Sequence, residues 1–309
     1  MTNQKKTLSI GIPVYNEAAN IENLIISIIR QEKKNYNLDA IYVICDGTND
    51  GTDKIVEKLL KKFPVIRLFK DGKRIGKVER LSEIFKLNTS DIIMVLDGDV
   101  VLSNPDVIGE MMQCFEKNEI ALVSANNQPI QGETFIGRVI NYGVYIWYLA
   151  RIRFNNGDNV HNIRSCCIAL KKEFARKINF PPQILSYGRY LYLLCQQEKL
   201  KFSFAVKSVF LYRKPNNLLD YVLQTRRSQS DRDKFEQIFG KWIRDKYRMP
   251  IKYKILAVIN SFIHNPILFI SFVALKFFIN KLPYKNINSK NTAVWETATS
   301  TKKPIPTPF

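Results

Sequence analysis

Two aspartates, Asp97 and Asp99, stand directly after the apolar run Ile92–Leu96, with a single glycine between them. Burying a carboxylate without a partner is unfavourable, and two carboxylates close together also repel each other. The pattern therefore predicts a cation in front of the pair. On a continuing strand both side chains would face the same side, and such oxygen ligands suit Mg²⁺ or Mn²⁺, with water and phosphate oxygens completing the site. An ion held there would clamp a diphosphate and stabilise it as a leaving group.

Polar residues also follow the first two predicted strands: Tyr15-Asn16-Glu17 comes after the first and Asp46-Gly47 after the second. Ligands of parallel α/β sheets collect at the carboxyl ends of the strands, so acidic endings on one rim favour a binding site over unrelated turns. The alternation of strands and helices predicts a mostly parallel α/β sheet flanked by helices. The predicted strands are Thr7–Val14, Ala40–Cys45, Val65–Phe69, Ile92–Leu96 and Ile120–Ser124, and the predicted helices are Ala18–Lys34, Asp53–Phe63, Val78–Leu87 and Val107–Glu116.

The chain after residue 125 has a mixed pattern. Thr134–Phe154 is long, aromatic and apolar. Arg164–Leu170 and Phe202–Tyr212 are predicted strands, Tyr190–Gln197 is a predicted helix, and Leu218–Phe239 is a charged helical stretch.

An apolar segment, Ile255–Ile279, is long enough to span a bilayer, which takes about 20 residues. The polar residues at 264–266 near its centre would be unfavourable there. Two short interfacial helices, Ile255–Ile263 and Ile267–Phe278, broken at Pro266, account for the interruption, and a buried helical hairpin is the alternative. The flanking lysines that could meet anionic head groups are Lys252, Lys254, Lys276, Lys281 and Lys285.

Charge and cysteine usage limit the class of protein. The formal net charge is +19, and residues 201–309 hold 20 Lys/Arg against 6 Asp/Glu. This excess predicts a polyanionic partner, and since no nucleic-acid-binding motif is present, anionic lipid or a phosphorylated substrate is favoured over nucleic acid. The five cysteines form no metal-binding or paired pattern, which indicates free thiols in a reducing cytosol. The N-terminal residues are too polar for a secretory signal.

Together, the motifs resemble those of the family 2 inverting glycosyltransferases, whose fold is GT-A. IPVYNE (Ile12–Glu17), CDGTNDGT (Cys45–Thr52), the Gly76-Lys77 pair and MVLDGDVVL (Met94–Leu102) occur in that family's order. QTRRS, at 224–228, is similar to the Gln-x-x-Arg-Trp motif of processive membrane polysaccharide synthases. AVWETATSTKK, at 293–303, is similar to a tail that follows the membrane helices in some of those enzymes.

The resemblance implies a nucleotide-sugar pocket. Pro13, Tyr15 and Glu17 would line the nucleoside part of this pocket. Asp46 would accept a hydrogen bond from the base, typically uracil, so the implied donor is a UDP-sugar.

The resemblance also implies which residues act on the diphosphate and the sugar. Lys77 would approach the diphosphate, and Asp97 would contact the ribose or the donor sugar. Asp99 would ligate the metal, Mg²⁺ or Mn²⁺. Gln224 and Arg227 would close over the donor and the acceptor.

One part of the family pattern is missing. A transfer to a sugar hydroxyl needs a general base. Where related enzymes have an acid pair beside an arginine, this chain has Tyr187 and Gly188, followed by Arg189. Three explanations are open: the acceptor is already ionised, as a polyprenyl phosphate is; His161 or Asp158 supplies the base; or transfer is lost and the protein only binds a nucleotide sugar.

These observations lead to an expected function and organisation. We expect a metal-dependent hexosyltransferase that moves a sugar from a UDP-sugar to a lipid-linked or polysaccharide acceptor at the cytoplasmic face of the cell membrane, as a peripheral, monotopic or single-pass protein. The alternative is a catalytically impaired nucleotide-sugar-binding protein. A nucleotidyltransferase is disfavoured because IPVYNE is not a glycine-rich phosphate loop. The expected division is a GT-A domain at 1–212 (nucleotide-sugar half 1–125, acceptor half 126–212), a basic helical segment at 213–249, and membrane-associated helices and tail at 250–309.

Overall fold

Eight strands form one sheet. The computed structural model describes residues 5–181, 184–227, 232–281 and 301–309. The strands are β1 (Lys6–Val14), β2 (Tyr36–Cys45), β3 (Ile66–Lys70), β4 (Ile92–Leu96), β5 (Val100–Leu102), β6 (Ile120–Pro129), β7 (Cys167–Lys171) and β8 (Lys201–Tyr212). Their order across the sheet is β3-β2-β1-β4-β7-β6-β8-β5.

Helices cover both faces of the sheet, so all five residues of β4 are buried. Amphipathic spacing supplies the apolar stripe with which each helix packs on the strands. The helices are α1 (Ile21–Ile29), α2 (Thr52–Lys62), α3 (Lys77–Leu87), α4 (Val107–Cys114), α5 (Phe135–Arg153), α6 (Lys172–Ala175), α7 (Tyr187–Gln197), α8 (Leu218–Arg227), α9 (Arg232–Phe239), α10 (Ile243–Tyr247), α11 (Ile251–His264) and α12 (Pro266–Lys281).

The two halves of the sheet differ in strand direction. Strands β1, β2, β3 and β4 are mutually parallel. Strand β7 is antiparallel to β4 and to β6, and β5 is antiparallel to β8, whereas β6 and β8 are parallel. Since the carboxyl ends of β2, β1 and β4 lie side by side, the polar residues that follow these three strands meet at one edge of the sheet.

The elements predicted for the first 125 residues are confirmed, with differences at their ends. Helix α1 is shorter than predicted, at Ile21–Ile29. The assumption that the strand continues through the aspartate pair is wrong, because residues 97–99 form a turn between β4 and the unpredicted β5. The charged stretch Leu218–Phe239 contains two helices, α8 and α9, with residues 228–231 outside the described part.

The apolar segment forms a helical hairpin, α11 and α12, that breaks at the predicted place. Helix α11 ends at His264 and α12 begins at Pro266, while the side-chain oxygen of Asn265 accepts a hydrogen bond from the backbone N–H of Leu268 at 2.9 Å. The hairpin packs on α5, where Phe272 lies over Gly143. Among the described residues, no helix combines the length and the apolar character needed to cross a bilayer.

Packing of α3 on β1 gives a stability prediction. A Cβ atom at Gly11 would lie 2.3 Å from Cγ2 of the buried Ile84. Overpacking of this kind costs about 1–3 kcal/mol, so we expect Gly11→Ala to lower the free energy of unfolding by that amount in urea titrations. The control is Gly109→Ala in α4, where the nearest atom is Oδ1 of Asn35 at 3.5 Å. Equal stability of the two variants would contradict the close approach of α3 to β1.

Candidate active site

Gly98 allows the turn at residues 97–99 to lie close to the loop between β1 and α1. A Cβ atom at Gly98 would lie 2.8 Å from Cγ of Glu17 and 3.0 Å from Cγ1 of Val14. Any larger residue at this position would push the turn away from the β1–α1 loop. The turn therefore brings the Glu17 carboxylate beside Asp97 and Asp99, an arrangement that the sequence spacing alone did not reveal.

Two of these three carboxylates have a cationic partner. Nζ of Lys77 lies 2.6 Å from Oδ1 of Asp97, and Nζ of Lys302 donates to the Glu17 carboxylate. No described lysine or arginine forms an ion pair with the half-buried Asp99. Burial and the neighbouring Asp97 raise the pKa of Asp99. Burial and Asp99 raise the pKa of Glu17 to about 7, although Lys302 opposes the shift.

Asp99 and its surroundings fit a divalent cation. No group of three His, Cys, Asp or Glu side chains among the described residues is placed to hold a metal ion by itself. Mg²⁺ is commonly bound through one or two carboxylates together with substrate phosphates and water. Asp99 matches this kind of site, because it has no ion-pair partner among the described residues while the neighbouring Asp97 and Glu17 are paired with lysines. The assignment of Asp99 as metal ligand stays a prediction.

Asp46 holds the loop that positions Lys77. Its carboxylate accepts hydrogen bonds from the backbone N–H groups of Ile75 at 2.8 Å and Gly76 at 3.1 Å, and from Nε of the buried Arg80 at 3.1 Å. Gly76 has φ of 108° immediately before α3, a conformation that favours glycine. Through these bonds Asp46 fixes the start of α3, and Lys77 is its first residue. A hydrogen bond that Asp46 accepts from a nucleotide base stays a prediction.

The residues predicted to line the nucleoside pocket lie near this loop. Pro13 is buried in β1, opposite Ile44 of β2. Tyr15 is half-buried, and the guanidinium of Arg74 lies 3.6 Å from the centre of its ring. The planar guanidinium of Arg74 and the ring of Tyr15 together offer a flat surface on which a nucleotide base can stack.

A phenol occupies the position of the expected general base. Tyr187 begins α7, and its hydroxyl donates to the carbonyl of Ser165 and lies 3.3 Å from Oδ1 of Asp97. Burial and Asp97 raise the pKa of Tyr187 well above its ordinary value, so the hydroxyl stays protonated. A Cβ atom at Gly188 would lie 2.5 Å from Oγ of Ser165, so no acidic side chain fits there without movement.

Three cationic side chains, Arg151, Arg164 and Lys214, form a cluster beside the aspartates. Cys166 lies close to both groups: its backbone carbonyl accepts from the N–H of Asp97 at 3.0 Å, and Arg164 stands two residues before it in the chain. Arg151 is 1% exposed, and the other two are half-buried. The hydrogen bonds of the three are to neutral acceptors: Oδ1 of Asn162, Oδ1 of Asn127 (2.9 Å), the carbonyl of His161 (2.7 Å) and Oε1 of Gln224 (2.7 Å).

The cation cluster lacks compensating negative charge. Within the described residues no carboxylate forms an ion pair with Arg151, Arg164 or Lys214. Burial lowers the pKa of Arg151 to about 8, with a further contribution from Arg164. Burial and Arg164 likewise lower the pKa of Lys214 to about 8. Because buried charges are normally paired, an anion bound at this cluster would supply the negative charge that the described residues do not provide.

The remaining predicted residues are placed as follows. The Gln224 side chain accepts from Lys214 and thereby touches the cation cluster. Arg227 ends α8, and its side chain lies outside the described part. The His161 ring packs against Trp147, with 5.3 Å between ring centres, and burial lowers the pKa of His161 to about 4. Asp158 accepts from the backbone N–H of Phe204 at 2.7 Å. Neither candidate base forms a described hydrogen bond with the aspartate pair.

Sequence reasoning missed Lys302, Arg151 and Lys214. Lys302 lies in the tail whose likeness to polysaccharide synthases was noted, but no contact with Glu17 followed from that likeness. Arg151 lies within the apolar stretch Thr134–Phe154, and Lys214 follows the strand that ends at Tyr212. A single cation in or after an apolar stretch has no spacing that marks it as functional. Only the folded arrangement shows that Arg151 and Lys214 each lie near Arg164.

A family comparison agrees with this geometry. Residues 9–178 match the family model described as Glycosyl transferase family 2. The chain belongs to this family. The resemblance inferred from the motifs is therefore confirmed.

Two relatives with distant sequence similarity act as points of comparison. The dolichol-phosphate mannosyltransferase of Pyrococcus furiosus is 25% identical over 211 residues, covering 65% of this chain and 57% of that protein. The dolichyl-phosphate beta-glucosyltransferase of Dictyostelium discoideum is 24% identical over 155 residues, covering 45% of this chain and 47% of that protein. The chain thus spans about half the length of the curated relatives that it matches.

Solved structures confirm the GT-A fold of this family 2 member. The mannosyltransferase PcManGT of Pyrobaculum calidifontis, in complex with GDP-Man and Mn²⁺, has a TM-score of 0.61 at 18% identity, covering 90% of this chain and 76% of that chain. Glucosyl-3-phosphoglycerate synthase of Mycobacterium tuberculosis, in complex with Mn²⁺, UDP and glucosyl-3-phosphoglycerate, has a TM-score of 0.54 at 19% identity, covering 76% of this chain and 80% of that chain.

The raised pKa of Glu17 gives a pH prediction. Between its ordinary value of 4.5 and about 7 the folded protein holds a proton at Glu17 that the unfolded chain has lost. This group therefore lowers the free energy of unfolding as pH rises through that range, and the stability it contributes is fully present only below pH 4.5. We expect Glu17→Gln to remove this slope in urea titrations between pH 4.5 and 8 with chelator present.

The matched control is Glu22→Gln, which alters an exposed glutamate in the first turn of α1. It should keep the pH slope of the unaltered protein. If Glu17→Gln also keeps that slope, Glu17 does not titrate near neutral pH.

Proposed function

We propose that the protein transfers a sugar from a nucleoside diphosphate sugar to the phosphate group of a lipid-linked acceptor. The observation that carries this proposal is the cluster of Arg151, Arg164 and Lys214, which lies beside Asp97 and lacks a carboxylate partner within the described chain. Guanidinium groups bind phosphate oxygens through paired hydrogen bonds, and lysine supplies a point charge.

A phosphate acceptor also explains the absence of the usual base. A sugar hydroxyl must lose a proton as it attacks, whereas a phosphate monoester is already anionic at neutral pH. The neutral phenol of Tyr187 and the steric block at Gly188 are then compatible with transfer. Names of two relatives, which refer to dolichol phosphate, support an acceptor of this class. A polysaccharide hydroxyl as acceptor would still require a base.

The transfer step balances without an added base. An oxygen of the acceptor phosphate forms a bond to the anomeric carbon, while the bond from that carbon to the donor diphosphate breaks and the nucleoside diphosphate leaves. Lys77 would hold the departing diphosphate, and Asp97 would orient the donor sugar. A divalent cation held by Asp99 would neutralise charge on the diphosphate as it leaves. We propose a UDP-sugar as donor, with Asp46 and the ring of Tyr15 at the base.

An exposed apolar surface supports action at a membrane. Helices α11 and α12 bury only a narrow stripe, including Ala257 and Leu275, against α5. Three exposed lysines, Lys252, Lys254 and Lys281, accompany the apolar residues, Lys276 is half-buried, and Lys285 lies outside the described residues. We propose that this hairpin lies in the surface of an anionic membrane on its cytoplasmic face, because such a surface matches apolar and basic side chains together. The exposed apolar residues are Ile251, Ile255, Leu256, Val258, Ile259, Phe262, Ile263, Ile267, Ile270, Val273, Phe277 and Phe278.

Acceptor recognition can be tested with Arg164→Gln. Loss of one hydrogen bond to a charged group is worth about 1.5–3 kcal/mol, so kcat/KM for polyprenyl phosphate should fall at least about tenfold. The affinity for UDP or GDP with Mn²⁺, measured by calorimetry, should stay unchanged. The control is Arg153→Gln, which alters an exposed arginine of α5 bonded to the carbonyl of Leu149.

Other outcomes of this test would change the function. Rapid transfer to an oligosaccharide by the unaltered protein would contradict the phosphate acceptor and require another base. Tight nucleotide-sugar binding with no transfer to either acceptor would favour the binding protein, which the neutral Tyr187 also allows. In every case Asp99→Asn should abolish Mn²⁺-dependent nucleotide binding if Asp99 holds the metal.

Membrane docking can be tested at the tip of the hairpin. Ile263 and Ile267 are 74% and 70% exposed, and burying each in lipid would contribute about 1.5–3 kcal/mol. The double variant Ile263→Asp/Ile267→Asp should therefore bind anionic vesicles at least about tenfold more weakly in sedimentation. Leu219→Asp, at a residue 70% exposed on α8, should bind like the unaltered protein. Unchanged sedimentation of the double variant would exclude the hairpin as the docking surface.

A further inference from the structure

Residues 301–309 return to the donor side of the site, and we call them the C-terminal strap. Ile305 of the strap is completely buried. Its backbone N–H donates to Oδ1 of Asn20 at 3.0 Å, and its carbonyl accepts from Nδ2 of Asn23 at 2.9 Å. Both backbone polar groups of Ile305 are therefore held by side chains at the start of α1. Arg213 donates to the carbonyl of Pro304 at 2.9 Å. These contacts fix the strap by side chains on two separate parts of the fold.

The strap places Lys302 against the β1–α1 loop. Nζ of Lys302 donates to the Glu17 carboxylate and to the carbonyl of Asn16 at 3.1 Å, and it lies 3.5 Å from the carbonyl of Tyr15. Three consecutive residues that border the nucleoside pocket are therefore held by one ammonium group. The Lys302 side chain remains 27% exposed, while that of Glu17 is 8% exposed.

The loop needs such support because its backbone is unusual. Asn16 has φ of 52°, in the left-handed region. On one side its side chain exchanges two hydrogen bonds with Asn49, at 2.8 and 3.0 Å. On the other side Lys302 binds its carbonyl. Removing either support frees a strained turn beside the donor pocket.

Charge adds a second reason for a cation at this position. Glu17 lies against Gly98 and close to Asp99, so in its ionised form it would repel Asp99 and the diphosphate of a donor. With Lys302 bound, Glu17 is neutralised and Asp99 remains the carboxylate without an ion-pair partner among the described residues.

We propose that Lys302, delivered by the C-terminal strap, is a positioning residue of the donor site: it fixes the Tyr15–Glu17 loop and neutralises Glu17, so that the nucleoside diphosphate and its metal bind at Asp99. This role rests on the proposed function, since it presumes a nucleotide donor. The side-chain contacts of Lys302 are with residues 15–17, and the backbone of Ile305 is held by Asn20 and Asn23.

The test compares Lys302→Ala with Lys302→Arg and with a neighbouring control. Calorimetry with UDP or GDP and Mn²⁺ should show about tenfold weaker binding for Lys302→Ala, the loss expected for one hydrogen bond to a charged group. Lys302→Arg should recover most of the affinity. The control, Lys303→Ala, removes the same charge from the strap but only breaks a pair with the exposed Glu133 at 2.5 Å, and it should bind like the unaltered protein. Ile305→Asp should undock the strap and reproduce the loss.

Kinetics separates the donor site from the acceptor site. Lys302→Ala should raise KM for the nucleotide sugar about tenfold and leave KM for the acceptor phosphate unchanged. Equal affinity in Lys302→Ala and the unaltered protein would overturn the proposal. Tighter binding in Lys302→Ala would also overturn it, by showing that the strap obstructs the pocket.

A second measurement does not depend on the ligand. Amide hydrogen exchange at residues 15–17 should be at least about tenfold faster in Lys302→Ala than in Lys303→Ala if Lys302 fixes the loop. Unchanged exchange would overturn the proposal even if no nucleotide binds. Failure of the unaltered protein to bind any nucleotide, with faster exchange in Lys302→Ala, would instead count against the proposed function and keep the positioning role of Lys302 in the loop.

Discussion

The arrangement of the site depends on how charge is distributed at the carboxyl edge of the sheet. Three acidic side chains, Glu17, Asp97 and Asp99, meet there because β1 and β4 are neighbours and Gly98 permits close approach. Carboxylates this close would repel unless cations neutralise them. Lys77 and Lys302 do so for two of the three, and each comes from a different part of the chain. Asp99 has no ion-pair partner among the described residues, and the divalent cation in the proposed function would supply the positive charge that it lacks.

The cation cluster has the reverse imbalance. Arg151, Arg164 and Lys214 come together with neutral hydrogen-bond acceptors, so their positive charge has no protein partner in the described chain. Cys166 lies close to both groups. An enzyme that joins a phosphate to the sugar of a nucleoside diphosphate sugar has to hold two phosphate-containing substrates close together. In the proposed function, the carboxylates at the edge of the sheet would hold the metal and the donor diphosphate, while the cation cluster would hold the acceptor phosphate, so that the two substrates do not repel each other directly.

Two elements outside the sheet contact these two groups of charges, helix α5 at the cation cluster and the C-terminal strap at Glu17. Helix α5 carries Arg151 at one end and packs against the α11–α12 hairpin along its length, so the acceptor side is joined to the apolar surface of the molecule. If the hairpin lies in a membrane surface as proposed, a lipid acceptor would reach the cation cluster with its chain still in the bilayer. The C-terminal strap performs the corresponding task on the donor side, where it supports the β1–α1 loop.

Local sequence determined the strands, the helices and the polar residues at the strand ends, and tertiary structure decided which charged side chains lie together. Apolar periodicity specified the strands and helices of the first 125 residues, since each element is stabilised by a pattern of near neighbours. Motif spacing placed Tyr15, Asp46, Asp97 and Asp99 at strand ends for the same reason. The turn at Gly98 and the pairing of β5 with β8 were not predictable, because both depend on residues distant in sequence. The same holds for the contact of Lys302 with Glu17, 285 residues apart, and for the cation cluster. Electrostatic partners are fixed by distance in space, and only the folded chain sets that distance.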